Sequence, residues 1–301
     1  MSLTSHLDDA ASPVGQFIKQ RFASTKNLTS VANQQLKTAT TLRPAASEGT
    51  YPYATLGTVI DYRLRYAFAI TPYQHLVAWQ GARLLANDAY TVEIIQKFFT
   101  RLATTVQTMQ PVGRILATPD ELLLCRYCYV LSLFEQVFRN STRTLQNSPL
   151  IPMKRSVEDL LAIPQELCLD DVANIFHLFY ERYNTLLLKP HNLNPIFAGS
   201  LDVGGADGDL IVDGCLIDIK ATINAKLAAS HLFQLAGYLL LDYDDKLHIT
   251  SVGIYMARQG MLFTWPVNEF VRQLTGSSVT MEQLRREFRE RFGRANRDVS
   301  R

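Results

Sequence analysis

The chain has 301 residues, room for one large domain or two ordinary ones, and its 47% hydrophobic and 19% charged residues exclude a disordered chain. A net charge of +2 excludes a strong overall basic field, so a nucleic-acid contact would need locally concentrated charge. Met1–Ala11 is polar and acidic, unlike a signal peptide, and no apolar run has transmembrane length, so the expected setting is the cytoplasm with no membrane partner.

Ser12-Pro13 is a helix start, a capping residue followed by proline at the first helical position. Val14, Phe17, Ile18 and Phe22 give that helix an apolar face as far as about Ala23. Residues 25–50 are rich in Thr, Ser, Asn, Gln and Ala, have little apolar periodicity and read as a loop or polar arm, mildly basic through Lys26, Lys37 and Arg43. From Ala54 to Asn140 the pattern is helical. Asp61-Tyr62-Arg63-Leu64-Arg65-Tyr66 has the residue types that pair phosphates and stack on bases. The better reading is that Val59, Tyr62, Leu64, Tyr66 and Phe68 pack a helical core. Pro72–Ala86 and Thr91–Gln110 predict two amphipathic helices, and Thr118-Pro119-Asp120-Glu121 starts another. The four cysteines include a Cys-x-x-Cys pair, Cys125 and Cys128, within that last helix. Cys168 and Cys215 stand far away, with no second clustered pair, so buried thiols without metal are expected.

Residues 141–155 are the linker candidate. A short helix follows near Val157–Ala162, and Asp170 and Asp171 can cap a helix reaching about Leu187. Asp170, Asn174, His177 and Glu181 fall on one stripe of it. Asn194–Ser200 is expected as a first core strand. Then come two apolar runs on either side of Asp213-Gly214, a strong signal for a type I′ hairpin. With those two residues in the turn, Val212 faces Cys215, Ile211 faces Leu216, Leu210 faces Ile217, Asp209 faces Asp218 and Asp207 faces Lys220. Period-two alternation then puts Asp207, Asp209, Asp218 and Lys220 on one face. Opposed residues have Cβ atoms ~4.5–5.5 Å apart, so two opposed carboxylates repel unless a cation lies between them. Hard oxygen ligands suit Mg²⁺ or Mn²⁺. An acidic outer hairpin face with Lys220 as neutralising neighbour is the plainer alternative.

Lys226–Asp242 reads as a helix with Gln234 and Tyr238 on one face. His248–Arg258 alternates as a buried strand, Gln259-Gly260 turns, and Met261–Trp265 returns. Met281–Phe292 is a helix with Met281, Leu284, Phe288 and Phe292 inward. Its outer face and tail carry Arg285, Arg286, Arg289, Arg291, Arg294, Arg297 and Arg301, offset by acidic neighbours, and read first as a solvated surface.

The ordered set Asp209, Asp218-x-Lys220, then Gln234 and Tyr238 on the following helix, resembles the PD-(D/E)XK nuclease superfamily, and its RecB-like branch most. The resemblance covers residues 170–265 and not the first half. It implies a nuclease-like domain over 151–301 built on a small mixed sheet flanked by helices, while the helical patterning of the first half predicts an α-helical domain over 1–150, with the polar arm near 25–50, so the fold class expected is α+β. The resemblance implies metal-dependent hydrolysis of nucleic acid, DNA before RNA, in repair, recombination or defence. Asp209 and Asp218 would hold Mg²⁺ or Mn²⁺, with the Ile219 carbonyl as a further ligand. Lys220 would orient or deprotonate the attacking water, its pKa lowered by burial and metal. Gln234 would help place Lys220, and Tyr238 would bond substrate backbone. Asp207 could replace Asp209 as first carboxylate. The helix before the sheet would offer Glu181, then His177, to the metal site. Some RecB-like relatives carry an iron–sulfur cluster on cysteines after the core, but this chain has none after Cys215. The alternative is a catalytically silent nuclease-like module that binds DNA or protein.

Overall fold

A computed structural model describes residues 2–45, 51–139, 148–151 and 156–293. The N-terminal region is helical: α1 (Leu3–Asp8), α2 (Pro13–Arg21), α3 (Lys26–Leu36), α4 (Tyr53–Phe68), α5 (Val77–Leu85), α6 (Ala89–Met109) and α7 (Thr118–Arg139). Helices α8 (Val157–Leu161) and α9 (Glu166–Tyr183) follow, then β1 (His191–Leu193), β2 (Leu210–Val212) and β3 (Cys215–Lys220). The chain ends with α10 (Ala229–Leu241), β4 (Ser251–Met256), β5 (Met261–Pro266), α11 (Val267–Thr275) and α12 (Met281–Phe292). The class is α+β, with a five-stranded mixed sheet in the C-terminal part. Most of the linker expected at 141–155, and Arg294, Arg297 and Arg301 of the basic tail, lie outside the described residues. Among those described, no helix is long and apolar enough to cross a membrane.

Two compact units form, and they do not follow a division at 150/151. One gathers Met1–Thr41, Lys189–Lys220 and Asn224–Arg301; the other holds Leu42–Leu188 and Ala221–Ile223. Helices α1, α2 and α3 therefore belong with the sheet. The stretch expected as a polar arm contains α3, which buries Leu28, Ala32 and Leu36. Spacing of four residues puts those side chains on one helix stripe. The Asn33 side chain fixes the helix, accepting from the Leu227 N–H at 2.7 Å and donating to the Leu227 carbonyl at 3.1 Å. At α2 the expected cap is present: the Ser12 hydroxyl accepts from Gly15 N–H.

In the sheet unit the strand order is β1-β2-β3-β4-β5, antiparallel except for the β3–β4 pair, which is parallel. A parallel pair needs a crossover, and α10 supplies it. Ile211, Leu216, Val252, Ile254, Met256 and Phe263 share a core with Leu232, Leu235, Ala236 and Leu239 of α10 and with Leu3, Phe17 and Ile18 of the N-terminal helices. Gly237 permits this close packing, because a Cβ there would lie 2.9 Å from the Leu3 methyls. The hairpin turns at Asp213 and Gly214 with φ of 50° and 76°, the positive values a type I′ turn requires. Leu210 faces Ile217, Ile211 faces Leu216 and Val212 faces Cys215, as the turn predicts.

Other expectations are corrected. Asn194–Ser200 is not a strand: Asn194 has φ of 53°, Pro195 follows, and regular pairing ends at Leu193. The helix expected to start at Asp170 begins at Glu166, so Asp170 and Asp171 are interior, and buried Asp171 accepts from the Tyr51 hydroxyl at 2.8 Å. Helices α1 and α11 also form where no helix was expected.

The helical unit is organised on the Asp61–Tyr66 stretch of α4. Its polar side chains point into the core: Arg63 is 0% exposed and Glu121 1%. Arg63 Nη2 donates to Glu121 at 2.7 Å, Arg65 Nε to Asp61 at 2.9 Å, and the Tyr62 hydroxyl to Glu135 at 2.6 Å. The Arg63 guanidinium lies 3.4 Å from the Phe176 ring centroid. Each buried charge is met by an opposite one, which makes this stretch a core device rather than a phosphate contact. Cys125 and Cys128 are buried free thiols on α7, and burial pushes both thiol pKa values up. Replacing Glu121 by Ala strands the Arg63 charge and should lower unfolding stability by about 3–5 kcal/mol in a urea titration. The paired change Arg63→Met with Glu121→Leu should recover most of that loss, because no unpaired charge remains.

Candidate active site

The hairpin, the last residues of β3 and the first half of α10 bring the polar residues together. Asp218 and Lys220 alternate with Ile217 and Ile219 along β3, so they share the face on which Leu216 meets the core. Asp209 precedes β2 by one residue and falls on the same face as Ile211. Its carboxylate accepts from the Ile219 N–H at 2.6 Å, tying the open end of the hairpin across the two strands.

Lys220 is the hub. Its Nζ lies 2.7 Å from Asp218 Oδ2 and donates to Gln234 Oε1 at 2.8 Å. Gln234 Nε2 donates in turn to the Tyr238 hydroxyl at 2.7 Å. Helical spacing of four residues is what lets Gln234 and Tyr238 meet. Tyr238 is held by Phe197, whose ring stacks on it at a centroid distance of 5.1 Å. Asp218 is 2% exposed, and a carboxylate that deep requires a counter-charge. Burial acts to lower the Lys220 pKa, but the charges of Asp218 and then Asp209 outweigh it and raise it. In the chain without metal the Lys220 ammonium is the charge that compensates Asp218; the lowering expected of burial and metal together concerns the metal-loaded site. Burial, then Asp218 and Asp209, pushes the Tyr238 phenol well up, so it stays neutral.

Asp207 does not face Lys220. The β2–β3 ladder stops at Leu210 and Ile217, and Asp207 pairs instead with Ile196. Asn194 N–H bonds the Asp209 carbonyl and Gly208 N–H the Pro195 carbonyl, both at 3.0 Å, so the strand path continues against the 194–196 segment. Asp209 is tied to Ile219 N–H and its charge acts on Lys220, whereas the charge of Asp207 acts on Tyr238. His177 and Glu181 lie on α9 and so belong to the helical unit, Glu181 exposed and His177 half-buried.

One residue of the site was not singled out from sequence. His231 stands one turn before Gln234 on α10, and the 231, 234 and 238 spacing places all three on one stripe. Its Nδ1 accepts from the Ala228 N–H at 3.4 Å. Burial, then the charge of Lys220, lowers its pKa from 6.5 to about 4, with Asp218 acting in opposition. The helical stripe shared with Gln234 was the available signal.

Among the described residues no group of three or more His, Cys, Asp or Glu side chains is placed to hold a metal ion. The side-chain donor set is a pair, Asp209 and Asp218. A pair of hard carboxylates fits Mg²⁺, which is commonly held by one or two carboxylates and completes its shell with water and phosphate oxygens. No protein-family model, curated protein or solved structure matches the chain.

Because the folded-state pKa of His231 is depressed, its contribution to stability is complete above pH 6.5 and is lost as pH falls toward about 4. An NMR titration of the imidazole should find His231 neutral at pH 5.5. His231→Gln should flatten the stability profile over that window.

Proposed function

We propose that the sheet unit is a metal-dependent nuclease of the PD-(D/E)XK type, RecB-like in its helix residues, that hydrolyses phosphodiester bonds in nucleic acid, with DNA as the first substrate class. The observation that carries this reading is the convergence of Asp209, Asp218, Lys220 and Gln234 at the carboxyl end of β3. A strand end beside a crossover helix is where open α/β sheets take their ligands.

Asp209 and Asp218 would hold Mg²⁺ or Mn²⁺, which when bound lowers the pKa of a water and stabilises charge on the scissile phosphate. Lys220, kept protonated by Asp218, acts as a hydrogen-bond donor and fixed positive charge toward phosphate oxygens or the attacking water. Gln234 holds the Lys220 ammonium through its amide oxygen, and its own amide is set by Tyr238. This is the preorganisation that electrostatic catalysis needs, with donors fixed before charge develops. Burial and the Phe197 stack confine Tyr238 to the support of Gln234.

The test is cleavage of labelled linear, circular and single-stranded DNA by purified protein in Mg²⁺, with a chelator control. Wild type should cut in Mg²⁺ alone. Lys220→Ala should lose at least ~100-fold in rate, the scale on which loss of one preorganised donor is felt. Its melting temperature should also fall without metal, because Asp218 loses its counter-charge, and Mg²⁺ should restore more of it than Mg²⁺ adds to wild type. A Lys220→Ala protein that cuts as fast as wild type would make the assigned roles wrong. DNA binding without cleavage by wild type would favour the silent binding module.

A further inference from the structure

The hydrogen-bond chain from Asp218 through Lys220, Gln234 and Tyr238 leaves out one polar side chain on the same helix stripe, His231. It lies in the first turn of α10, next along the chain from the connection that leaves Lys220 at the end of β3. Its Nδ1 is committed, since it accepts the Ala228 N–H. A ring nitrogen that accepts from an N–H carries no proton, so the neutral ring keeps its proton on Nε2. Nε2 has no hydrogen-bond partner among the described residues, and the side chain is only half-buried.

We propose that His231 is a substrate-binding residue of the candidate nuclease site, donating from Nε2–H to a non-bridging oxygen of a nucleic-acid phosphate. This rests on the nuclease reading of Asp209, Asp218 and Lys220. The Ala228 contact fixes both the tautomer and the ring orientation before substrate arrives. An uncharged donor suits the place. A second cation beside Lys220 and a divalent metal would be repelled, whereas a neutral N–H adds a bond to the anionic oxygen without that penalty. The neighbouring Lys220 charge and burial keep the ring uncharged at neutral pH. A hydrogen bond to a charged oxygen is stronger than a neutral one.

Two substitutions separate this role from a structural one. His231→Asn places an amide oxygen where Nδ1 sits, keeping the acceptor for Ala228 N–H and losing the Nε2 donor. His231→Gln places an amide N–H near Nε2 and gives up the Nδ1 acceptor. Steady-state cleavage of a labelled DNA oligonucleotide in Mg²⁺ is measured for both and for wild type, with the melting temperature of each. His231→Asn should keep the wild-type melting temperature yet lose ~10-fold or more in kcat/KM, with a raised KM, the scale of one hydrogen bond to a charged group. His231→Gln should stay within a few-fold of wild type in cleavage even if it melts somewhat lower. Wild-type kinetics in His231→Asn, or an equal loss in both variants, overturns the proposal. Failure of wild type to cleave any nucleic acid is a different result: it removes the nuclease reading, and the role of His231 with it.

Discussion

The ion pair between Lys220 and Asp218 is the constraint on which the sheet unit depends. Asp218 is almost fully buried on β3, where an unpaired carboxylate would cost several kcal/mol. The lysine that meets it is two residues further along the same strand and on the same face. That pairing works only if β3 keeps its register, because a slip of one residue would turn both side chains to the other face. Register is set by the Asp213-Gly214 turn and by the ladder to β4, so local turn chemistry and a long-range parallel pairing serve one buried charge. On the proposed nuclease reading, a divalent cation on Asp209 and Asp218 would take over the compensation now given by the ammonium.

Helix α10 has two jobs that its sequence reconciles by period. Leu232, Leu235, Ala236 and Leu239 fill the core, while His231, Gln234 and Tyr238 follow a neighbouring stripe at the site. Helices α1 and α2 back it from the other side, close enough at Leu3 that Gly237 has no room for a side chain. The N-terminal segment therefore bears on the candidate chemistry at one remove, by fixing the helix that carries Gln234.

The helical unit deals with buried charge differently. Around Arg63 the charges are locked to one another and to the face of Phe176, with Glu121 and Arg63 both out of water. At Lys220 the half-buried lysine and the half-buried Asp209 leave an edge toward solvent. A closed network confers shape, and an open one can exchange its partner for a ligand. That contrast is why the Arg- and Tyr-dense stretch of α4 is architecture, and why the sparser set on β3 is the candidate site.

Much of this was legible in the residues. The Asp213-Gly214 turn between apolar runs determined the hairpin and its register, and alternation then put Asp209, Asp218 and Lys220 on one face. The 3.6-residue period marked α10 and α12, and Ser12-Pro13 marked the start of α2. These are local rules, satisfied within a few residues of chain. What only the tertiary structure decided involves partners far apart in sequence. Asp207 turned to Ile196 because the strand path before Leu210 runs against another segment, which no spacing within the hairpin reveals. Helix α3 formed in a polar stretch because three side chains four apart found a core supplied mostly by residues beyond 200. The direction of the Lys220 pKa was likewise a tertiary outcome, since burial and two carboxylates pull it in opposite senses and their balance depends on distances.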